Sequence, residues 1–544
     1  MIMKRKILYS LFLIPFCVSA CGPKDDWVDN DPNYPMSHDT SKDYNFDANS
    51  SNENGSVSYE IFVRSYYDTN NDGIGDLNGV KAKIPYLSDL GIKTIWLMPI
   101  MPSPTYHGYD VSNYCAVNPD YGTMDDFDAL VKVANEHHVD IMIDMVLNHS
   151  SRNHPWFHQS YTDFINDNTS ATSKKDWYNW SKTAQGTYGK YYDAYYECEF
   201  DSSMPDLNLD CEAVRDEIDN ICQFWIKDHG VKGFRLDAAM WYYTKDTPRN
   251  NEFLTWLENT THKYDENFYM VGEVWTNEVT VNNYYGSKCD SFFRFDTSVD
   301  GDVNLLNYAK EFGNINRLGN FIQRNEEAMK NLNPNGYSSY FVANHDQDRP
   351  VFNDIDQAKM LASLYLLLPG TPFIYYGEEI QLKGVRTKSP DDLSDAKRRL
   401  PMIWSKEDKT GECSFPEKNR KDLDNTEQVE LGVDDLLKEN FSLVNHYKKV
   451  INVRNKYPIF KYGKFQSLYS QVVTTNEYIE SRVFAYKLTY NNEEIIVLHN
   501  LSSANAEIVQ IGSEIIDSIN TTHRLPVLKD GKINLGAYST LILK

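Results

Sequence analysis

The sequence predicts an α/β protein built on a (β/α)8, or TIM, barrel, with a lobe inserted after the third strand and a C-terminal antiparallel β-sandwich. Three observations predict it. Eight short apolar runs of strand character alternate with amphipathic stretches, as parallel β/α repetition requires. Three of these runs close on carboxylates, Asp237 in GFRLDA, Glu273 in VGEVW and Asp346 in FVANHDQDR. In barrels of this kind, polar residues that end several strands converge on one face. The last stretch of the chain changes to alternating runs separated by Asn-rich turns.

The chain opens on a basic segment, Met1 to Lys6, then an apolar stretch, Ile7 to Ala20, too short to cross a bilayer with its polar flanks. Val18-Ser19-Ala20 reads as a cleavage site, so residues 1–20 are expected to be a signal peptide and Cys21 the mature N-terminus. A cleavage site directly before Cys resembles the bacterial lipoprotein signal, which implies lipidation of Cys21. Gly22-Pro23-Lys24-Asp25-Asp26 resembles the acidic signal that sends lipoproteins of Bacteroidetes-type bacteria to the outer face of the outer membrane. Residues 21–55, rich in Asp, Asn, Ser and Pro, are too poor in aliphatics to bury a core and are expected to be a flexible tether.

Barrel strands are expected at Val57 to Val63, Ile92 to Pro99, Val139 to Leu147, Val231 to Ala238, Phe268 to Trp275, Ser291 to Phe295, Ser338 to Asn344 and Pro372 to Gly377. Met124 to His137 and Ala213 to Asp228 are examples of the amphipathic stretches between them. Residues 150–210, dense in Trp, Tyr, Asp and Asn, are too many for a structureless loop and are expected to fold as a lobe over the active face. A second insertion, Gln381 to Glu430, follows the eighth strand. The catalytic unit is thus expected over residues 56–456 and the β domain over 457–544.

A formal charge of −24 argues against nucleic acid and anionic membrane surfaces as partners and leaves a neutral substrate as the easier one. Aromatic residues make up 13% of the chain, and flat rings stack on sugar faces. No later segment reads as a membrane span. Beyond Cys17 and Cys21, six cysteines match neither a zinc ribbon nor a redox pair; Cys198 with Cys211 as a disulfide, or free buried thiols, are both open. Asp68, Asn70, Asp72, Ile74 and Asp76 place oxygen donors at alternate positions around a Gly turn, as Ca²⁺ requires. Gly79 at the twelfth position excludes an EF-hand.

Asp144-Met-Val-Leu-Asn148-His149, Gly233-Phe-Arg235-Leu-Asp237-Ala, Glu273-Val-Trp275, Asn344-His345-Asp346 and Met204-Pro-Asp-Leu-Asn208 resemble, in order and spacing, the signature motifs of the α-amylase family of retaining glycoside hydrolases. The resemblance implies Asp237 as nucleophile, Glu273 as acid/base and Asp346 as the acid that grips ring hydroxyls. It also implies Arg235 as the support of Asp237, His149 and His345 as hydroxyl-binding imidazoles, and Tyr109 as the ring beneath the sugar. Calcium loops like 68–76 occur in oligo-1,6-glucosidase-like members; Met240-Trp241 departs from the Lys-His that serves another calcium in many amylases.

Exo-acting members carry Asp three residues before the stacking Tyr, where this chain has Tyr106, and Ala238 stands where Val accompanies α-1,6 specificity. Endo-hydrolysis of α-1,4 bonds in starch-like α-glucans is therefore expected, by a monomer whose companions are starch-binding lipoproteins and an outer-membrane importer. The form of the MPDLN motif keeps open a neopullulanase-like or mixed α-1,4/α-1,6 activity. A non-catalytic starch binder is the alternative from another class.

Overall fold

The computed structural model describes residues 56–387, 393–415, 428–469, 472, 482–521 and 526–544. The expected signal peptide (1–20), Cys21 and the expected tether (21–55) lie outside the described residues. Eight parallel strands form the barrel: β1 (Ser58–Ile61), β2 (Thr94–Leu97), β3 (Asp140–Met145), β7 (Gly233–Leu236), β8 (Tyr269–Gly272), β9 (Ser291–Phe293), β10 (Tyr337–Ser339) and β11 (Phe373–Tyr375). β4 (Trp180–Ser181), β5 (Gly189–Tyr191) and β6 (Ala194–Tyr196) belong to the inserted lobe. The barrel closes where Thr371 N–H donates to the Ser338 carbonyl at 3.0 Å and Phe373 N–H to that of Tyr340 at 2.8 Å.

Trp96, Met142, Val271, Phe293, Phe341 and Phe373 fill the barrel's interior as one buried cluster. Each such side chain stabilises the fold by about 1.5–3 kcal/mol relative to exposure. The outer helices follow their sequence patterns. Met124–Glu136 starts on a capping box between Thr123 and Asp126 and buries Phe127, Leu130, Val131 and Ala134, a spacing that makes one helical face.

The lobe combines the helix Pro155–Ile165 with its three-stranded antiparallel sheet. Isolated bridges His149↔Asp206 and Tyr178↔Leu207 tie its entry to its exit, so the lobe is anchored beside the rim of the barrel. All six described cysteines, Cys198 and Cys211 included, are free thiols. No helix among the described residues is long and apolar enough to cross a membrane.

Past the barrel, β12 (Lys464–Ser467), β13 (Val483–Tyr490), β14 (Glu493–Asn500), β19 (Thr540–Leu543) and β16 (Ile515–Ile519) form an antiparallel sheet. β15 (Ala506–Val509), β18 (Lys532–Leu535) and β17 (Val527–Lys529) form a second. Val483, Ala485, Leu498 and Leu541 from the first pack with Ile508, Ile533 and Leu535 from the second, the two-layered core of a sandwich. The barrel helix Ile315–Leu332 seats this unit: Gly319 lies so close to Ser467 that a Cβ would fall 2.3 Å from its hydroxyl.

Candidate active site

Register explains the centre of the site. In the parallel ladder Arg235 of β7 lies opposite Asp144 of β3, and Leu236 lies opposite Gly272 of β8, so Asp237 and Glu273 leave their strands side by side. Arg235, 1% exposed, is shared by all three acids: Nη1 donates to Asp144 at 2.9 Å and to Asp237 at 2.7 Å, and Nη2 faces Glu273 at 3.1 Å. The Ala238 amide, directly after Asp237, donates to the other Glu273 oxygen at 2.9 Å. Ala238 reaches this position with a left-handed φ of 49°, a strained conformation for a residue with a Cβ.

A second group meets the first from the opposite side of the rim. Asp346 faces His345 Nε2 at 3.0 Å and accepts from Arg399 Nη2 at 2.9 Å. The Tyr109 hydroxyl lies 2.7 Å from His345 Nε2 and donates to Asp144 at 3.1 Å, joining the two groups. The Tyr109 ring stacks on the His345 ring with centroids 5.6 Å apart.

Electrostatics differ sharply between the acids. Burial pushes Asp237 and Glu273 above their ordinary values, with Arg235 pulling each back. Burial likewise lifts Asp144 to about 7 against the pull of Arg235, because one guanidinium cannot neutralise three buried carboxylates. Asp346 behaves in the opposite way. Burial raises it too, but His345, Arg399 and Arg235 together hold it far below the usual carboxylate range.

His149 is buried, its Nε2 has no hydrogen-bond partner, and burial with the nearby His107 lowers it to about 4, so the ring is neutral. Its neighbour Asn148 donates to Asp206 at 3.1 Å, which links the first motif to the MPDLN motif. Two aromatic side chains stand exposed close by. Trp275, two residues after Glu273, is 43% exposed and lies flat on Phe295 with centroids 4.7 Å apart. Phe200, 46% exposed, packs edge-on against Trp241 and beside His149.

The structure thus brings together Asp237, Glu273, Asp346, Arg235, Tyr109, His345 and Asp144, with His149 on the flank. The loop Asp68, Asn70, Asp72, Ile74 and Asp76 lies apart from them. Its oxygens serve backbone amides: Asp68 accepts from Asn71 at 2.7 Å and Gly73 at 2.7 Å, Asp72 from Ile74 at 2.7 Å, and Asp76 from Thr69 at 2.8 Å. Among the described residues no three His, Cys, Asp or Glu side chains gather as a metal centre. The donor chemistry of the loop still fits a hard cation, since Asp68, Asp72 and Asp76 supply carboxylate oxygens there.

Sequence reasoning missed Glu60 and Arg399. Glu60 carried a signal, an acid between Tyr59 and Ile61 inside an apolar strand. Arg399, in KRRLP, carried none.

The family profile described as the alpha amylase catalytic domain matches residues 60–463, which contain every one of these residues. The chain belongs to the α-amylase family of glycoside hydrolases. A second profile, the C-terminal domain of the alpha-amylase SusG, matches residues 483–542. Alpha-amylase 3 of Dictyoglomus thermophilum is 33% identical, over 99% of this chain and 98% of its own. An oligo-1,6-glucosidase of Bacillus cereus is 30% identical over 82% of this chain and 90% of its own. Among solved structures, Eubacterium rectale Amy13B superposes with a TM-score of 0.82 at 35% identity, covering 93% of this chain and 98% of its own. The α-amylase from H. orenii gives 0.77 at 30% identity, covering 90% and 99%.

Proposed function

We propose that this α-amylase family hydrolase cleaves α-1,4-glucosidic bonds within starch-like polysaccharides and maltooligosaccharides, with retention of configuration. The observation that carries the mechanism is the single guanidinium shared by Asp237 and Glu273, with the Ala238 amide on the second oxygen of Glu273. Two carboxyls held side by side in this way suit attack by one and protonation by the other, the close spacing that retention needs.

Asp237 is the nucleophile, kept ionised by Arg235 as it attacks the anomeric carbon. Glu273 is the acid/base: burial keeps its proton on until the glycosidic oxygen takes it, and the resulting carboxylate then draws a proton from water to release the sugar. Asp346, held ionised, grips the ring hydroxyls and favours the positively charged transition state. Tyr109 stacks beneath the sugar, and His149 and His345 bind its hydroxyls.

Internal cleavage is supported by Tyr106, which stands where exo-acting members place a capping Asp and packs edge-on against Phe62. It is also supported by Trp275, whose exposed face beside the acid/base suits the leaving part of a chain. Resemblance to an oligo-1,6-glucosidase favours a second reading, mixed α-1,4 and α-1,6 cleavage. Ca²⁺ held by Asp68, Asn70, Asp72, the Ile74 carbonyl and Asp76 would brace the loop, outside the reaction. Lipidation at Cys21 would tether a monomer to the outer face of the outer membrane, beside starch-binding lipoproteins and an oligosaccharide importer.

Product analysis of the tether-free protein on soluble starch and pullulan, beside Asp237→Asn, tests the reading. Maltooligosaccharides of mixed length from starch, lost in the variant, are expected. Equal turnover of pullulan would move the assignment to the mixed group, and no release from either would overturn it.

A further inference from the structure

Glu60 has no part in the assignments above, yet it lies at the centre of the rim. It is the third residue of β1, paired in register with Trp96 of β2 and Tyr375 of β11, and is 2% exposed. Its Oε1 lies 2.6 Å from His345 Nδ1. The opposite nitrogen of the same ring, Nε2, lies 3.0 Å from Asp346 Oδ2 and 2.7 Å from the Tyr109 hydroxyl. His345 itself is fully buried.

With both flanking acids ionised, proton counting decides what such a ring must be. A neutral imidazole has one N–H and one bare lone pair. With a carboxylate against each nitrogen, the neutral ring would turn its lone pair on one of them, 2.6 Å from the buried Glu60 or 3.0 Å from Asp346. Only the imidazolium turns an N–H toward both carboxylates, Nδ1–H toward Glu60 and Nε2–H toward Asp346. Tyr109 is no competitor for this role, since its hydroxyl donates to Asp144 and can accept from Nε2.

We propose that Glu60 is a positioning residue that fixes His345 as an imidazolium in one orientation, so that the nitrogen facing the sugar always carries a proton and Asp346 stays ionised. This rests on the glycosidase reading above. Glu60 then acts from behind the ring, touching no substrate, and supplies the counter-charge that permits a cation among other cations.

The surroundings make that counter-charge necessary. Arg235 from β7 lies over the Trp96 ring, whose edge meets His345 at 5.7 Å, and Arg399 donates to the His345 carbonyl at 3.2 Å. Both guanidiniums oppose a further positive charge, as does burial. Asp144 from β3, Asp237 from β7 and Asp346 favour it, and Tyr109 and Tyr375 are the remaining titratable neighbours. The balance of these groups, with burial pulling down and Asp346 and Glu60 pulling up, leaves His345 at about 9.

Glu60→Gln tests the idea, because the amide oxygen still accepts from Nδ1 while the charge is gone. Two readouts separate this proposal from the glycosidase reading. The first is the carbon-13 Cε1 resonance of His345 in histidine-labelled protein, assigned by its loss in His345→Gln and followed with pH; it needs no turnover. An imidazolium at neutral pH that turns neutral there in Glu60→Gln is expected. A ring already neutral in the unchanged protein, or a titration that Glu60→Gln does not move, would overturn the proposal.

The second is the pH profile of maltooligosaccharide hydrolysis. Loss of one adjacent counter-charge should lower the His345 ionisation by about 1–3 pH units, and the alkaline limb of kcat/KM should move down with it once that ionisation falls below the one of Glu273. The loss should fall on kcat more than on KM, and Glu60→Asp should restore part of it. An unchanged limb with full kcat would make Glu60 a structural hydrogen-bond partner only. If Glu60→Gln does not fold, the wild-type titration and Glu60→Asp still decide the matter.

Discussion

Replacing Arg235 by Met removes one guanidinium from among three buried carboxylates and keeps an unbranched side chain of similar reach. Nη1 lies 2.7 Å from Asp237 and 2.9 Å from Asp144, and Nη2 3.1 Å from Glu273. With charge centres about 4 Å apart and an effective dielectric of about 20, each contact favours the ionised acid by about 4 kcal/mol, or about three pK units. Burial already raises Asp237 above its ordinary value of 3.8, and losing that support raises it further. A larger share of Asp237 is then a neutral acid.

We expect kcat/KM of Arg235→Met to fall at least about a hundredfold under mildly acidic conditions, and the deficit to shrink about tenfold for each pH unit until Asp237 ionises. The optimum therefore moves to higher pH, because Glu273 rises as well and keeps its proton. Stability follows the same groups. Acids whose folded-state pKa lies above the unfolded value cost nothing below the unfolded pKa, and the cost grows as pH rises through the folded value. Denaturant titrations should show a loss of about 3–5 kcal/mol on the alkaline side that fades toward acid pH. Activity within tenfold of wild type at an unmoved optimum, or a stability loss independent of pH, would refute the reasoning.

Two further outcomes are expected. Calcium chelation should lower the thermal midpoint, reversing a stabilisation of about 2.7 kcal/mol at a hundredfold excess over Kd, and Asp72→Ala should abolish that dependence while low-temperature activity persists. Arg454 is buried without a carboxylate partner among the described residues and donates to the carbonyls of Leu366, Leu368, Gly370 and Phe460 and to the Ser56 hydroxyl. Arg454→Met should therefore cost about 3–5 kcal/mol by equilibrium unfolding, with kcat per folded molecule unchanged.

Strands and acids were legible in the sequence for the same reason. A buried parallel strand reads as an apolar run, and a polar residue that ends it marks the rim, which is how Asp237, Glu273 and Asp346 stood out. The ladders are shorter than those runs. Ser338 to Asn344 was expected as a strand, but β10 stops at Ser339, and beyond it the Tyr340 and Val342 carbonyls accept single bonds from Phe373 and Val299. Asp144 stood in the first motif with no role of its own, and register sets it opposite Arg235. Arg399 was invisible because it meets Asp346 from 53 residues further on, with no local pattern to announce it. Glu60 could be seen as an odd acid in a strand, but its partner lies 285 residues away. The loop 68–76 was legible as a spacing of oxygens, and the folded loop spends those oxygens on its own amides.

The central claim is double displacement through Asp237 and Glu273, and the anomer released first from a maltooligosaccharide tests it most directly. Proton NMR within the first turnovers, before mutarotation, should show the α-anomer at the new reducing end. The β-anomer would mean a single displacement by water and would contradict the account.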